Sequence, residues 1–240
     1  MAAGWTAKRF WKETGVAVVD DGYAVVLDGR GVKTPAKRAL VLPTGALAQA
    51  VAEEWEAQQG QIRPDTMPLT RTANSALDKV APQFAEVANL LAAYGGHDLL
   101  CYRATGPAAL AARQAELWNP MLEWAAAQFA APLLVTQGVV PVDQPPASVQ
   151  ALADQVHRLN AFELAAFHDL VAITGSLVLA LAFTHDRLTL EQLWAIARVD
   201  EDWQATQWGQ DDEAVEVARL KQSALESAGR FWALCRSQSA

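Results

Sequence analysis

Three prolines fall within VVPVDQPP, residues 139–146, and the hydrophobic pattern of the chain changes across them. Proline fixes φ and has no amide donor, so this run makes a stiff, non-helical connector. Upstream, the first forty residues set β-rich runs between Asp-Gly turns: VAVV, DDG, YAVVL, DGRG, then VKT. That is the usual hairpin signal, and RALVLP closes the section as a fourth strand. Downstream no strand signal appears. The last hundred residues predict four or five helices, with the most apolar one, 161–184, in the middle. The expected fold is α+β: an N-terminal α+β domain over 1–140 containing a short antiparallel β-meander, then a C-terminal all-helical bundle over 141–240.

Between these ends the signals are more mixed. Thr44 is placed to cap a helix GALAQAVAEEWEAQ, in which Leu47, Val51 and Trp55 recur at spacings of four. QIRPDTMPLTRT predicts extended chain, because Pro64 and Pro68 are excluded from helix interiors. Helices are expected at about 70–80 and 82–94, ending at Gly95-Gly96, and over 107–130 with Pro120 marking a kink or a fresh first turn. Short strands are expected at 99–103 and 133–136.

Composition removes several function classes. The chain is 52% apolar and 19% charged, ordinary for a soluble globular protein, and its 240 residues suffice for a real core. A net charge of −8 repels polyphosphate and anionic lipid, so neither nucleic acid nor a membrane surface is an expected partner. Cys101 and Cys235 match no zinc or redox spacing, which points to a reducing compartment. MAAGWTAKRFWKE has no apolar signal core and is no long Arg/Ser-rich transit segment. The lack of such a segment favours a bacterial chain. The longest apolar stretch, LVAITGSLVLALAF at 170–183, falls short of the roughly 20 residues a bilayer needs and predicts a buried core helix.

Three features of the sequence come near enzyme motifs. DGRGVKT superficially resembles a phosphate loop, but Val32 separates Gly31 from Lys33 and position 26 is valine, so a hairpin turn is the reading. Ser176 in TGSLV lacks the second glycine of a nucleophile elbow, which leaves close helix packing at small residues. His157, His168-Asp169 and His185-Asp186 loosely suggest a metal-dependent phosphohydrolase of helical His-Asp type. That alternative requires several of these groups to converge on one ion. No catalytic set, metal site or cofactor motif is assigned, and this favours a binding protein.

The remaining anomaly is VDEDWQATQWGQDDEA, residues 199–214, with six carboxylates, two tryptophans and no Lys or Arg. Taken as one helix over 189–218, it places Leu190, Trp194, Ala197, Ala205, Trp208 and Val215 on one stripe, with Glu201 in the middle. A second stripe holds Ile196, Val199, Trp203, Ala214 and Val217. A helix with two apolar faces is either sandwiched within its domain or offers one face outward. A carboxylate inside an apolar stripe must find a partner, stay at an edge, or pay a large desolvation cost. Asp211, Asp212 and Glu213 match no EF-hand spacing, and acids opening a new helix after Gly209 suit its dipole.

Five segments together resemble the assembly chaperones that escort the alpha subunit of the F1 sector of ATP synthase. They are EEWEAQ (53–58), MPLTRTANSALD (67–78), LLCYR (99–103), LWNPMLEWA (117–125) and RLTLEQLWAIARVDEDWQATQWG (187–209), and the resemblance covers nearly the whole chain. It implies a small α+β N-terminal domain and a helical C-terminal bundle. It implies binding of the unassembled alpha subunit, shielding of its beta-facing surface and later displacement, with no nucleotide, metal or other cofactor. A monomer is the simplest expectation, and the compartment follows the implied partner: bacterial cytoplasm, or mitochondrial matrix for a eukaryotic chain. The family's functional glutamate lies in the acidic run before an aromatic-Gln pair, here Trp203-Gln204, which points to Glu201 flanked by Asp200 and Asp202. Relatives often carry three glutamates where this sequence has Asp-Glu-Asp. Trp208 completes the expected partner-binding set.

Overall fold

The computed structural model describes residues 8–209 and 211–237, so part of the N-terminal segment read above for a targeting signal lies outside the described residues. By packing the chain divides into two compact units. The first comprises the chain through Phe84 with Asn160–Ala166 and the chain from Gly229 on; the second comprises Ala85–Leu159 and Phe167–Ala228. The Pro-rich connector therefore lies inside the second unit, and the packing division does not follow the 140/141 boundary expected from sequence.

In the first unit, β1 (Thr14–Val19) and β2 (Gly22–Leu27) pair antiparallel from Thr14↔Leu27 to Val19↔Gly22. β3 (Arg30–Gly31) and β4 (Val41–Leu42) share the other edge of β2, against Val26-Leu27 and Tyr23-Ala24 respectively. Asp28 and Gly29 both take left-handed φ, 48° and 76°, as a tight primed hairpin turn requires. The Asp28 carboxylate also accepts from the amides of Lys12 and Glu13. DGRGVKT is thus a hairpin, although the expected VKT strand shrinks to a single Lys33↔Ala39 bridge. Gly22 is obligatory for a different reason: a Cβ there would lie 2.4 Å from the Leu42 carbonyl oxygen.

Helix α1 (Gly45–Glu56) packs on β1 and β2 through Leu47, Ala48, Val51 and Ala52. Thr44 caps it as expected, accepting from the Leu47 amide, and its hydroxyl donates to the Leu234 carbonyl at 2.6 Å. The stretch expected to be extended is so only through Arg63, and from Pro64 on it is mostly helical. Pro64 opens a single 3-10 turn and Pro68 opens α2 (Pro68–Ser75), each in a first turn where a missing N–H costs nothing. The cap of α2 is supplied from outside its own sequence. Glu54 on α1 accepts from Leu69 N at 2.7 Å, Thr70 N at 2.8 Å and the Thr70 hydroxyl at 2.6 Å. Asp78 ties the same region to the turn after β3, accepting from Thr34 Oγ1 at 2.7 Å and Ala36 N at 3.0 Å. Past α2 the chain stays wound, through a π turn and a 3-10 turn, into α3 (Phe84–Ala92).

The second unit is built round α4 (Ala108–Phe129), which passes through Pro120 and ends at Ala130 in left-handed conformation. β5 (Tyr102–Arg103) follows a 3-10 turn and pairs parallel with β6 (Thr136–Gln137), so the two expected strands exist but are only two residues each. Among the described residues beyond the connector come six helices rather than four or five: α5 (Pro146–His157), α6 (Ala161–Thr174), α7 (Leu177–Thr184), α8 (Leu190–Ala197), α9 (Val199–Trp208) and α10 (Asp212–Arg236).

The expected single apolar helix over 161–184 is broken at Gly175, whose φ of 69° a helix cannot hold. Ser176 then caps α7, accepting from Leu179 N at 3.0 Å, so its role is neither nucleophilic nor simple close packing. The break is anchored by Asp98, fully buried, which accepts from the Ser176 hydroxyl, Val178 N and Leu100 N. Leu177 to Ala182 of α7 are all buried, consistent with a helix at the centre of a core. Among the described residues no helix is long and apolar enough to cross a membrane.

Candidate partner-binding site

The acidic tryptophan stretch is not one helix. Arg198, at φ −107° and ψ 18°, separates α8 from α9, and Gly209, at φ 81° and ψ 174°, separates α9 from α10. Three helices, α8, α9 and the start of α10, stand where one was expected over 189–218. Asp200, Glu201 and Asp202 occupy the first turn of α9, where the exposed amides and the helix dipole favour negative charge. Asp211 then opens α10, its carboxylate accepting from Ala214 N at 2.7 Å.

The three acids have different surroundings. Asp200 is half-buried and accepts a 2.6 Å bond from Gln114 of α4, whose own side-chain oxygen accepts from Ala104 N. One helical step from it, Trp118 is wholly buried and its indole donates to the Ile196 carbonyl at 3.0 Å. These two bonds fix the α8–α9 corner on α4. Asp202 pairs with Arg198 at 3.3 Å, and the Arg198 guanidinium lies 4.8 Å from the centre of the Trp194 ring. Glu201 alone is exposed and has no hydrogen bond or ion pair among the described residues. It does not sit buried within an apolar stripe.

The broken chain nevertheless brings stripe members together. Trp194, Glu201, Ala205, Trp208 and Val215 line one groove of about 620 Å³, formed by α8, α9 and the start of α10. A smaller cavity of about 330 Å³ adjoins it, sharing Trp194, Arg198, Glu201 and Lys221. Trp203 is half-buried, Gln204 exposed, and Trp208 80% exposed. Val215, Val217 and Leu220 on α10 are also largely exposed. Of these α10 residues, sequence reasoning missed Leu220. It also missed Arg198 and Gln114: the four-residue spacing of Arg198 and Asp202 is a readable helix signal, whereas nothing local marks Gln114.

The histidines do not converge. His168 Nδ1 lies 3.0 Å from its neighbour Asp169, a contact that raises the imidazole pKa against the opposing effect of burial. His185 Nδ1 meets the Leu181 carbonyl, with its ring edge-on to Trp124 and Phe129, and His157 meets Asn89. Among the described residues, no three His, Cys, Asp or Glu side chains gather where one ion could touch them.

Known proteins match this arrangement along its length. The Atp12 crystal structure from Paracoccus denitrificans is 49% identical, covers 96% of this chain and 99% of its own, and superposes with a TM-score of 0.93. Atu1473 from Agrobacterium tumefaciens, described as a putative chaperone, is 40% identical over 95% of this chain and 86% of its own, with a TM-score of 0.91. Protein atp12, mitochondrial, of Schizosaccharomyces pombe is 23% identical over 222 residues, 88% of this chain and 76% of that protein. A profile of the family described as ATP12 chaperone protein matches residues 8–126. With near-complete coverage at 49% identity, the chain belongs to the ATP12 chaperone family.

Proposed function

We propose that this ATP12-family chaperone of ATP synthase assembly binds the unassembled alpha subunit of F1, shields the surface that the beta subunit later covers, and is then displaced. The grip is assigned to Asp200, Glu201, Asp202, Trp203, Gln204 and Trp208. The observation that carries it is Trp208, 80% exposed at the edge of a groove whose α10 side adds exposed Val215 and Val217. Large aromatics anchor interfaces when a partner desolvates them, and charges beside them set register. Glu201 has the matching property of an unpaired carboxylate at the same groove. Binding requires no nucleotide, metal or catalysis, and the site of action is the bacterial cytoplasm. Purification of the tagged chain from cells lacking the beta subunit tests the reading: alpha subunit is expected in the eluate, and its absence there contradicts the proposal.

A further inference from the structure

The first unit contains a cavity of about 810 Å³ that the acidic-aromatic site does not use. Its walls come from three separated segments: the turn after β3, the end of α1 with the loop behind it, and α2. Trp55, Ile62 and Met67 supply apolar wall, while Lys33, Lys37 and Arg71 stand round it. No carboxylate lines the cavity, and none of these three cations has an ion pair among the described residues. In a chain of net charge −8 this lining is cationic, although Asp78 and Glu54 accept from the lining residues Thr34 and Thr70. Two lining residues also carry orphaned polar atoms: Trp55 Nε1, a donor, and Asn74 Oδ1, an acceptor, are both shut from solvent without a partner.

A buried donor or acceptor left without a partner is destabilising, so a ligand that satisfies both is favoured. A peptide group offers one acceptor and one donor, whereas a fatty-acid carboxylate would satisfy only the indole. A volume of about 810 Å³ exceeds any single side chain and lies within the ordinary range of ligand pockets.

We infer that this cavity is a second client contact, which takes a short extended segment of a partner protein with apolar side chains flanked by acidic ones. Apolar side chains fill the wall of Trp55, Ile62 and Met67. A backbone peptide group meets Trp55 Nε1 and Asn74 Oδ1, both sealed from solvent in the free protein, once those side chains turn toward the cavity. The flanking carboxylates face Lys33, Lys37 and Arg71. The inference rests on the proposed client binding only for the identity of the partner.

The test uses the full chain, with 15N in the tryptophan indoles, and an acetylated, amidated pentapeptide Asp-Leu-Phe-Leu-Asp. The Trp55 indole N–H resonance, assigned by its loss in Trp55→Phe, is expected to shift saturably with peptide. Lys37→Glu combined with Arg71→Glu, both at exposed positions, is expected to weaken binding about tenfold while the rest of the spectrum keeps its dispersion. An unmoved Trp55 resonance overturns the inference, as does equal binding of the peptide with lysines in place of aspartates. Because Lys8 pairs with Gln61 beside the wall residue Ile62, a chain lacking residues 1–7 is run in parallel. Peptide binding by that shortened chain alone would mean that the cavity receives the protein's own N-terminus, which also overturns it. No alpha subunit enters this measurement, so its failure is separable from failure of the function proposed above.

Discussion

Asp98 and Ser176, 78 positions apart in sequence, meet through a 2.7 Å hydrogen bond in which the serine hydroxyl donates to a fully buried carboxylate. Val178 N and Leu100 N donate to the same carboxylate, so one side chain holds the start of α7 against the turn before β5. Burial pushes the Asp98 pKa upward, against those hydrogen bonds. A raised folded-state pKa means that the associated stability is fully present below the ordinary carboxylate value and is lost as pH rises through the folded one. Asp98→Ala leaves two buried amides and a hydroxyl without their acceptor and is expected to cost about 3 kcal/mol or more. Asp98→Asn keeps the shape but turns an NH2 toward a donor, at roughly 1–3 kcal/mol. Urea unfolding midpoints measure both; values at wild-type level would remove Asp98 from this role.

At the proposed client site the two central substitutions should separate. Trp208→Ala removes an 80% exposed ring, so the fold should be unaffected. Its effect on alpha-subunit capture is expected to reach about 2 kcal/mol, the scale of an interface hot spot. Glu201→Lys is likewise silent in circular dichroism but reduces capture several-fold and changes its salt dependence. Calorimetry with purified alpha subunit distinguishes them, and unchanged affinity in both variants would move the client surface elsewhere.

Both cysteines are predicted to be inert in the folded protein. Burial pushes the Cys101 and Cys235 thiols up to about 12, leaving almost no thiolate at neutral pH. Iodoacetamide is expected to label neither until denaturant is added, as read by mass spectrometry.

His168 gives a pH-dependent increment of the opposite chemical type but the same sign. Its hydrogen bond to Asp169 raises the imidazole pKa above the ordinary 6.5, although burial opposes it. The pair therefore adds stability that is present below about 6.5 and disappears as pH rises through the folded-state value. Asp169→Asn should abolish the effect. NMR titration of His168 in both proteins, alongside urea midpoints across that pH range, checks it.

Local chemistry made much of the fold legible in sequence. The Asp-Gly turn at 28–29, the Thr44 cap and the long α4 all follow from residues within a few positions of one another. Where the cause was distant, the reading failed. The split between α6 and α7 carries a fair local signature, Gly175 followed by the capping Ser176, but the apolar run on both sides hid it. Its anchor, Asp98, lies in another segment altogether. Pro68 is excluded from a helix interior but not from a first turn, and the carboxylate that caps the helix it opens comes from Glu54, fourteen positions away. The acidic stretch was recognised as unusual, and Trp194, Glu201 and Trp208 do line one groove. Their assembly depends on corners at Arg198 and Gly209 that a continuous helical wheel cannot represent. The cavity beside Trp55 was invisible because no single segment contains it.

From Asp212 to Ala224, every residue of α10 except Ala218 is exposed, and burial resumes only at Leu225. Beyond its own backbone ladder, the side-chain support seen along this stretch is local: the Asp211 cap on Ala214 N, the Glu216–Arg219 pair at 2.6 Å and the Ser227 hydroxyl on the Ser223 carbonyl. A helix of about twelve residues standing in water is marginal by itself. Its amide protons should therefore exchange with deuterium far faster than those of the fully buried α7. A client that settles on Val215 and Leu220 would quench that exchange, so capture would be recorded in the lifetime of a few backbone protons even if no atom of the chain changed its mean position.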